Sequence, residues 1–218
     1  MNEKENKKSG FIRNIIGCLV SPRSSFRSIL EKPSLMKATA LILVIAIVAA
    51  WASLNYTSKL PSLDGLLPTQ GIPVNPEQLR PALIIMSGVT ALTSIFGAWL
   101  ASSALVHGFS RALRGKGTFK SMLTLAGYAS IPLLIQHVLR LADSFTISQE
   151  ALELATNLQL SVIAEAAVGI FTIFGIWSMI LLIIAARENY KISTTKSTAA
   201  TILSFIALIF ISAFLPFV

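Results

Sequence analysis

The fold is decided by the stretch Gly115–Pro132, which reads GKGTFKSMLTLAGYASIP. It begins as a basic turn and continues as an apolar helix that contains a proline. A proline inside a helix removes one backbone donor and clashes with the carbonyl group four residues earlier, here that of Tyr128. A membrane helix tolerates this break where neighbouring helices satisfy the freed group. The stretch therefore predicts a kinked membrane span in the middle of a helical bundle.

The rest of the chain has the composition of a membrane protein. Hydrophobic residues make up 54% of its 218 residues and charged residues 13%, whereas roughly 25% charged residues is usual in a soluble domain. We predict an all-α integral membrane protein with an N-terminal segment, 1–36, made of a cytoplasmic tail and amphipathic helices, and a five-span membrane domain, 37–218. The spans are expected near residues 38–54, 82–109, 119–141, 162–186 and 199–218.

The N-terminal segment contains two short amphipathic stretches. Ser21-Pro22 is typical of a helix start, with an N-cap followed by proline at the first helical position. We expect both stretches to form interfacial helices, either packed on the bundle as a solvated cap or in contact with lipid or a protein partner. The apolar residues of the first recur at helical spacing: Phe11, Ile12, Ile15, Ile16 and Leu19.

Lysine and arginine are distributed unevenly along the chain. Fifteen of the 18 lie in the N-terminal residues through Lys37 and around the loops after spans 2 and 4, so the positive-inside rule places these parts in the cytoplasm and the C-terminus outside. The net charge of +8 is spread beside apolar runs, which favours anionic lipid over nucleic acid as a partner. We predict a lipid-binding or partner-binding face formed by Arg13, Arg23, Arg27, Lys32, Arg111, Arg114 and Lys116.

No residue pattern predicts catalysis, a cofactor or a metal site. His107 and His137 are expected at opposite ends of the bilayer, about 30 Å apart, so they cannot bind one ion. The single cysteine, Cys18, excludes an internal disulfide and a multi-cysteine metal site. The sequence therefore favours a non-enzymatic membrane scaffold that binds protein partners or lipids.

A small transporter or channel is the alternative prediction. Glu165 lies near the start of predicted span 4, either at the outer interface or within the bilayer, where it would be a candidate for proton or cation coupling. Small and hydroxyl residues recur every four positions in span 2, and we interpret them as a helix–helix seam or, alternatively, as a polar path. They are Thr90, Ser94, Ala98 and Ser102.

Two sequence runs carry a resemblance to a known family. Gly117-Thr118-Phe119-Lys120, followed by Gly127-Tyr128-Ala129-Ser130-Ile131-Pro132, resembles the Yip family, which comprises the Ypt/Rab-interacting membrane proteins and their prokaryotic relatives. The piece starting at Ser21-Pro22 is similar to the start of prokaryotic members. The resemblance implies a five-span protein of a prokaryotic inner membrane that acts in membrane organisation or trafficking-like processes, with homo-oligomerisation left open. It implies no catalytic residues, and it marks Gly117, Phe119, Gly127, Tyr128 and Pro132 as structural or functional candidates.

Overall fold

The computed structural model describes residues 3–60, 76–148 and 172–214, and every regular element in these ranges is a helix. Eight helices follow one another in these ranges. Their bounds are α1 Glu3–Val20, α2 Pro22–Glu31, α3 Leu35–Ser58, α4 Pro76–Ala112, α5 Phe119–Ala129, α6 Ile131–Thr146, α7 Ile173–Tyr190 and α8 Thr194–Phe214.

Within the described ranges, five helical segments are long and apolar enough to cross a membrane: α3, α4, α5 with α6, α7 and α8. This confirms the predicted all-α architecture with five membrane-spanning segments. Helix α3 runs several residues beyond predicted span 1 at both ends, and α4 begins before predicted span 2 and continues through Pro81. The early part of predicted span 4 lies outside the described residues, and with it Glu165.

Helix α3 lies at the centre of the described bundle and packs against α4, α5 and α6. Its 24 residues correspond to about 36 Å of helix, enough to cross a hydrocarbon core of about 30 Å. Its buried side is a continuous stripe at helical spacing, made largely of alanine and isoleucine: Ala38, Leu41, Ile42, Ile45, Ala46, Ala49 and Ala52. Alanines in this stripe let neighbouring helices approach closely, which matters in lipid because packing has to replace the hydrophobic effect.

Span 3 is divided at Ser130, between α5 and α6. The Ser130 backbone N–H and hydroxyl both donate to the Ala126 carbonyl, at 3.1 and 2.9 Å, so the end of α5 is satisfied locally. Pro132 lies in the first turn of α6, where a missing N–H leaves no helical hydrogen bond unmade. The break predicted from this proline is therefore present, and it takes the form of one helix ending and another beginning.

The seam predicted on α4 is wrong for three of its four residues. Thr90, Ser94 and Ala98 are exposed in the described bundle, whereas Ser102 is half-buried. The buried side of α4 instead passes through Trp99, whose indole N–H donates to the Leu123 carbonyl at 3.0 Å and so joins α4 to α5. Small residues show where two helices could approach closely, which does not mean that they do. On α4 the larger residue Trp99 makes the contact with α5 instead. The buried residues that follow it at helical spacing are Ser103, Val106 and Ser110.

Helices α1 and α2 lie across one end of the bundle. Ser21 stands at the N-cap position of α2 and Pro22 in its first turn, as the sequence predicts, although the Ser21 side chain makes no capping hydrogen bond. Helix α1 packs on α5 and α6, and α2 packs on α5 and α7. Phe11 contacts the Tyr128 ring edge-to-face, with ring centroids 6.3 Å apart, and Cys18 and Phe26 are fully buried. The two helices therefore cover the end of the bundle with one apolar face each.

Candidate functional site

The predicted basic residues gather at one end of the bundle, which we name the basic end. It consists of α1 and α2, the turn 113–118 between α4 and α5, and the turn 191–193 between α7 and α8. Direct contacts join these three parts, and all of them involve the last turn of α7. The residues of that turn are Glu188, Asn189 and Tyr190, each of which is buried.

Glu188 joins α7 to α2. The Arg23 Nε donates to its Oε1 at 2.9 Å, and the Arg27 Nε donates to its Oε2 at 2.7 Å. Lys191 adds an ammonium group 4.0 Å from Oε2. The Glu188 side chain is 4% exposed, whereas the two arginine side chains are each 54% exposed. A buried carboxylate is tolerated only when it is paired and hydrogen-bonded. The two arginines of α2 supply both the opposite charge and the hydrogen bonds.

Asn189 and Tyr190 join α7 to the turn after α4. The Asn189 Nδ2 donates to the Thr118 carbonyl at 3.0 Å, and the Lys116 backbone N–H donates to the Tyr190 carbonyl at 3.1 Å. Inside the bundle, the Tyr190 hydroxyl lies 2.7 Å from His107 Nδ1. These bonds hold the basic turn against the end of α7.

Two of the predicted glycines lie where another backbone comes close. A Cβ at Gly117 would lie 2.6 Å from the Asn189 carbonyl oxygen, and a Cβ at Gly127 would lie 2.8 Å from the Ala38 Cβ. Both distances are too short for a real side chain. Gly117 therefore permits the contact between the turn and α7, and Gly127 permits the contact between α5 and the start of α3.

The remaining predicted residues divide into packed and exposed ones. Tyr128 and Pro132 are buried, and Phe119 packs edge-to-face on His107 with centroids 5.6 Å apart. Arg111 donates from Nη1 to the Gly115 carbonyl at 3.0 Å and so closes the turn. The other predicted cations are exposed around this junction: Arg13, Lys32, Arg114 and Lys116.

The sequence prediction missed Glu188 and Asn189 as the groups that connect the basic end. The sequence did contain a signal for these two residues. An acid and an amide stand at the end of an otherwise apolar span, between the basic residues Arg187 and Lys191. Within the described ranges, His, Cys, Asp and Glu side chains form no group of three that could hold a metal ion. The chemistry that this end offers is a set of exposed cations, two of which, Arg23 and Arg27, are hydrogen-bonded to Glu188.

Comparison with known proteins agrees with this architecture. The Yip1 domain family model matches residues 16–215. Membrane protein YknW of Bacillus subtilis is 26% identical over 211 residues, covering 92% of this chain and 89% of its own length. An uncharacterized protein of Methanocaldococcus jannaschii, MJ0794, is 23% identical over 150 residues, covering 66% of this chain and 99% of its own. No solved structure matches.

Proposed function

Because this chain belongs to the Yip1 domain family, we propose that it is a non-enzymatic membrane scaffold that gathers anionic lipid at its basic end. Its five apolar helices and its bacterial relative, named a membrane protein, make it an integral membrane protein of prokaryotic type. Family membership alone does not imply the scaffold role, which we infer from the contacts and charges of the basic end.

The observation that carries the proposal is that the basic end is internally connected while its cations stay exposed. Arg23 and Arg27 are held by Glu188, and the turn that carries Arg114 and Lys116 is held by Asn189 and Tyr190. The Arg23 and Arg27 side chains, held by Glu188, lose less conformational freedom when they bind an anion, which lowers the cost of binding.

The sign and position of the charge favour lipid. The cytoplasmic leaflet carries a negative surface potential, and each lysine or arginine near it contributes about 1 kcal/mol of attraction. Our charge count predicts that the basic end faces this leaflet. Several cations on one connected surface would enrich anionic lipid around the protein and, with it, any acidic protein that docks at the same face.

The test is lipid enrichment in vesicles of phosphatidylcholine and phosphatidylglycerol that contain the full chain. A donor dye is attached to Ser193→Cys in a Cys18→Ser background, and the vesicles carry acceptor-labelled lipid of either headgroup. We expect stronger energy transfer to labelled phosphatidylglycerol than to labelled phosphatidylcholine. The difference should shrink in about 1 M salt, where the Debye length falls to about 3 Å. Equal transfer to both lipids at low salt contradicts the scaffold proposal.

A small transporter or channel is the second candidate, and the break in span 3 at Ser130 favours it. Interrupted helices form ion and substrate sites in several transporter folds. Glu165, the proposed coupling residue, lies outside the described residues. Flux of protons or cations into the same vesicles, abolished by Glu165→Gln, would replace the scaffold proposal with this one.

A further inference from the structure

Helix α1 has a second apolar face that points away from the bundle. Ile12, Ile16 and Val20 are 53%, 56% and 77% exposed, and their spacing of four residues places them in one row. The opposite face of α1 packs against the core through Phe11, Ile15, Cys18 and Leu19. If α1 were only a solvated cap on the bundle, the side chains that face the core would be sufficient. The exposed outer row, Ile12, Ile16 and Val20, therefore requires a separate explanation.

The outer row begins beside the first turn of α3. The Lys37 ammonium, from that turn, lies 5.9 Å from the centroid of the Phe11 ring, and Ile12 follows Phe11 in α1. Met36, in the same turn of α3, is 80% exposed. Because α3 is long and apolar enough to cross a membrane, we expect its exposed start, and Ile12 near it, to lie at the boundary between acyl chains and headgroups.

Two open depressions meet along this surface at Ser21. The first, of about 540 Å³, is mainly apolar and lies along α1. The second, of about 520 Å³, lies along α2 and is lined by two arginine side chains. Together they form a continuous surface with an apolar part and a cationic part. Ile12, Ile16 and Val20 line the first, with Arg13 and Gly17 beside them; Arg23, Ser24, Arg27, Ser28 and Glu31 line the second.

The two guanidinium groups are oriented before any ligand arrives. Each uses its Nε to bind Glu188, and Arg27 adds a longer bond of 3.5 Å from Nη2. A guanidinium has five N–H donors in a planar fork that matches the oxygen spacing of phosphate. With 54% of each side chain exposed, the outer edges of both forks can bind an anion.

The charge around the two depressions is also suited to an anion. Two carboxylates, those of Glu31 and Glu188, are outnumbered there by four cations: Arg13, Arg23, Arg27 and Lys191. The surface therefore keeps an excess of positive charge. A phosphodiester with one negative charge complements this excess, and its attached acyl chains complement the apolar row.

We propose that the two depressions together bind one anionic phospholipid of the surrounding leaflet. The phosphate accepts hydrogen bonds from Arg23 and Arg27, and the upper part of an acyl chain lies along Ile12, Ile16 and Val20. The inference rests on the proposed function and names the place where the lipid is held. It assigns the outer row of α1 to lipid, and it gives Glu188 the role of positioning the two arginines.

The test compares two variants of the full chain in detergent micelles. Arg23→Gln/Arg27→Gln/Glu188→Gln removes the site without leaving a buried carboxylate unpaired, and it lowers the net charge by one. Arg114→Gln/Lys116→Gln removes two charges from the same end, outside the depressions. Native mass spectrometry measures binding of dioleoylphosphatidylglycerol, with dioleoylphosphatidylcholine as the neutral reference.

The two explanations predict opposite orders of affinity. For a built site, the triple variant should bind phosphatidylglycerol about 30-fold more weakly than the parent, since two cations near a lipid surface contribute about 2 kcal/mol. The control variant leaves both depressions intact, so it should lose clearly less affinity than the triple variant although it loses more charge. If general attraction accounts for binding, the control should lose more, since it loses more charge. That order, or equal losses, overturns the site and leaves the scaffold proposal standing; no preference for phosphatidylglycerol in the parent overturns both.

The apolar half of the site has its own test. Ile12→Ser/Ile16→Ser should weaken phosphatidylglycerol binding while both arginines remain in place. Glycerol phosphate, which carries the same phosphate chemistry without acyl chains, should fail to displace the bound lipid. Unchanged lipid binding by this variant, or efficient displacement by glycerol phosphate, would show that a free phosphate site is sufficient and would contradict a lipid site.

Discussion

Removing Arg23 and Arg27 together should release the α1–α2 pair from the bundle, whereas removing Glu188 should not. The asymmetry follows from exposure. The Glu188 side chain is 4% exposed and would remain buried with only Lys191, at 4.0 Å, beside it. The arginine side chains are 54% exposed and can return to water when the carboxylate is removed.

These exposures set the expected magnitudes. Breaking a buried pair so that one charge stays buried costs about 3–5 kcal/mol. We expect about 3 kcal/mol for Arg23→Gln/Arg27→Gln, the lower end, because Lys191 and the new amides still face the carboxylate. Glu188→Gln should cost about 1 kcal/mol, the value of an ordinary net hydrogen bond. The triple variant should also cost about 1 kcal/mol, because no buried charge is left.

Cys18 provides the assay. It is the only cysteine, it is fully buried in α1, and burial raises the pKa of its thiol to about 12. Since the thiolate is the reactive form, a maleimide should label Cys18 only when α1 opens. Helices α1 and α2 pack closely where Gly17 meets Ser25, so we expect release of α2 to free α1 as well.

The measurement is the rate of maleimide labelling of purified protein at neutral pH. A loss of about 3 kcal/mol in docking free energy raises the open population, and with it the labelling rate, about a hundredfold. The Glu188→Gln and triple variants should label within about tenfold of the parent. Arg114→Gln/Lys116→Gln, which loses two charges without touching Glu188, should label at the parental rate. Equal rates for the double arginine variant and the parent refute the reasoning, as would faster labelling of Glu188→Gln than of the double variant.

Three further predictions concern packing and orientation. Gly127→Ala should lower stability by about 1–3 kcal/mol through overpacking, measured by thermal unfolding in detergent; Gly97→Ala, where a Cβ meets no atom within 4 Å, should lower it little or not at all. Tyr190→Phe should cost about 1 kcal/mol in the same assay because His107 loses its hydroxyl partner, and no change would assign the contact to packing alone. In a Cys18→Ser background, an impermeant thiol reagent outside intact cells should label a cysteine at position 62 and spare one at position 116; labelling at 116 reverses our orientation.

The class and the number of spans could be predicted from the sequence, because a bilayer imposes a strict condition. A segment must be apolar for about 20 residues to cross, and its backbone must bond internally, so composition alone identifies α3 to α8 as membrane segments. Local backbone chemistry is equally readable. Pro132 divides span 3 and Ser21-Pro22 starts α2, since the geometry of proline acts on its immediate neighbours.

Tertiary structure decided which side of each helix packs and which charges meet. In lipid an apolar surface is as well accommodated by acyl chains as by another helix, so hydrophobicity cannot show which side of α4 is buried. The small residues Thr90 and Ser94 face outward, while Trp99 makes the contact with α5. The sequence analysis selected Glu165 as the candidate functional acid, but the carboxylate that is buried in the described structure is that of Glu188. Its partners lie 161 and 165 residues away along the chain, and pairings at that separation exist only once the bundle has brought α2 to the end of α7.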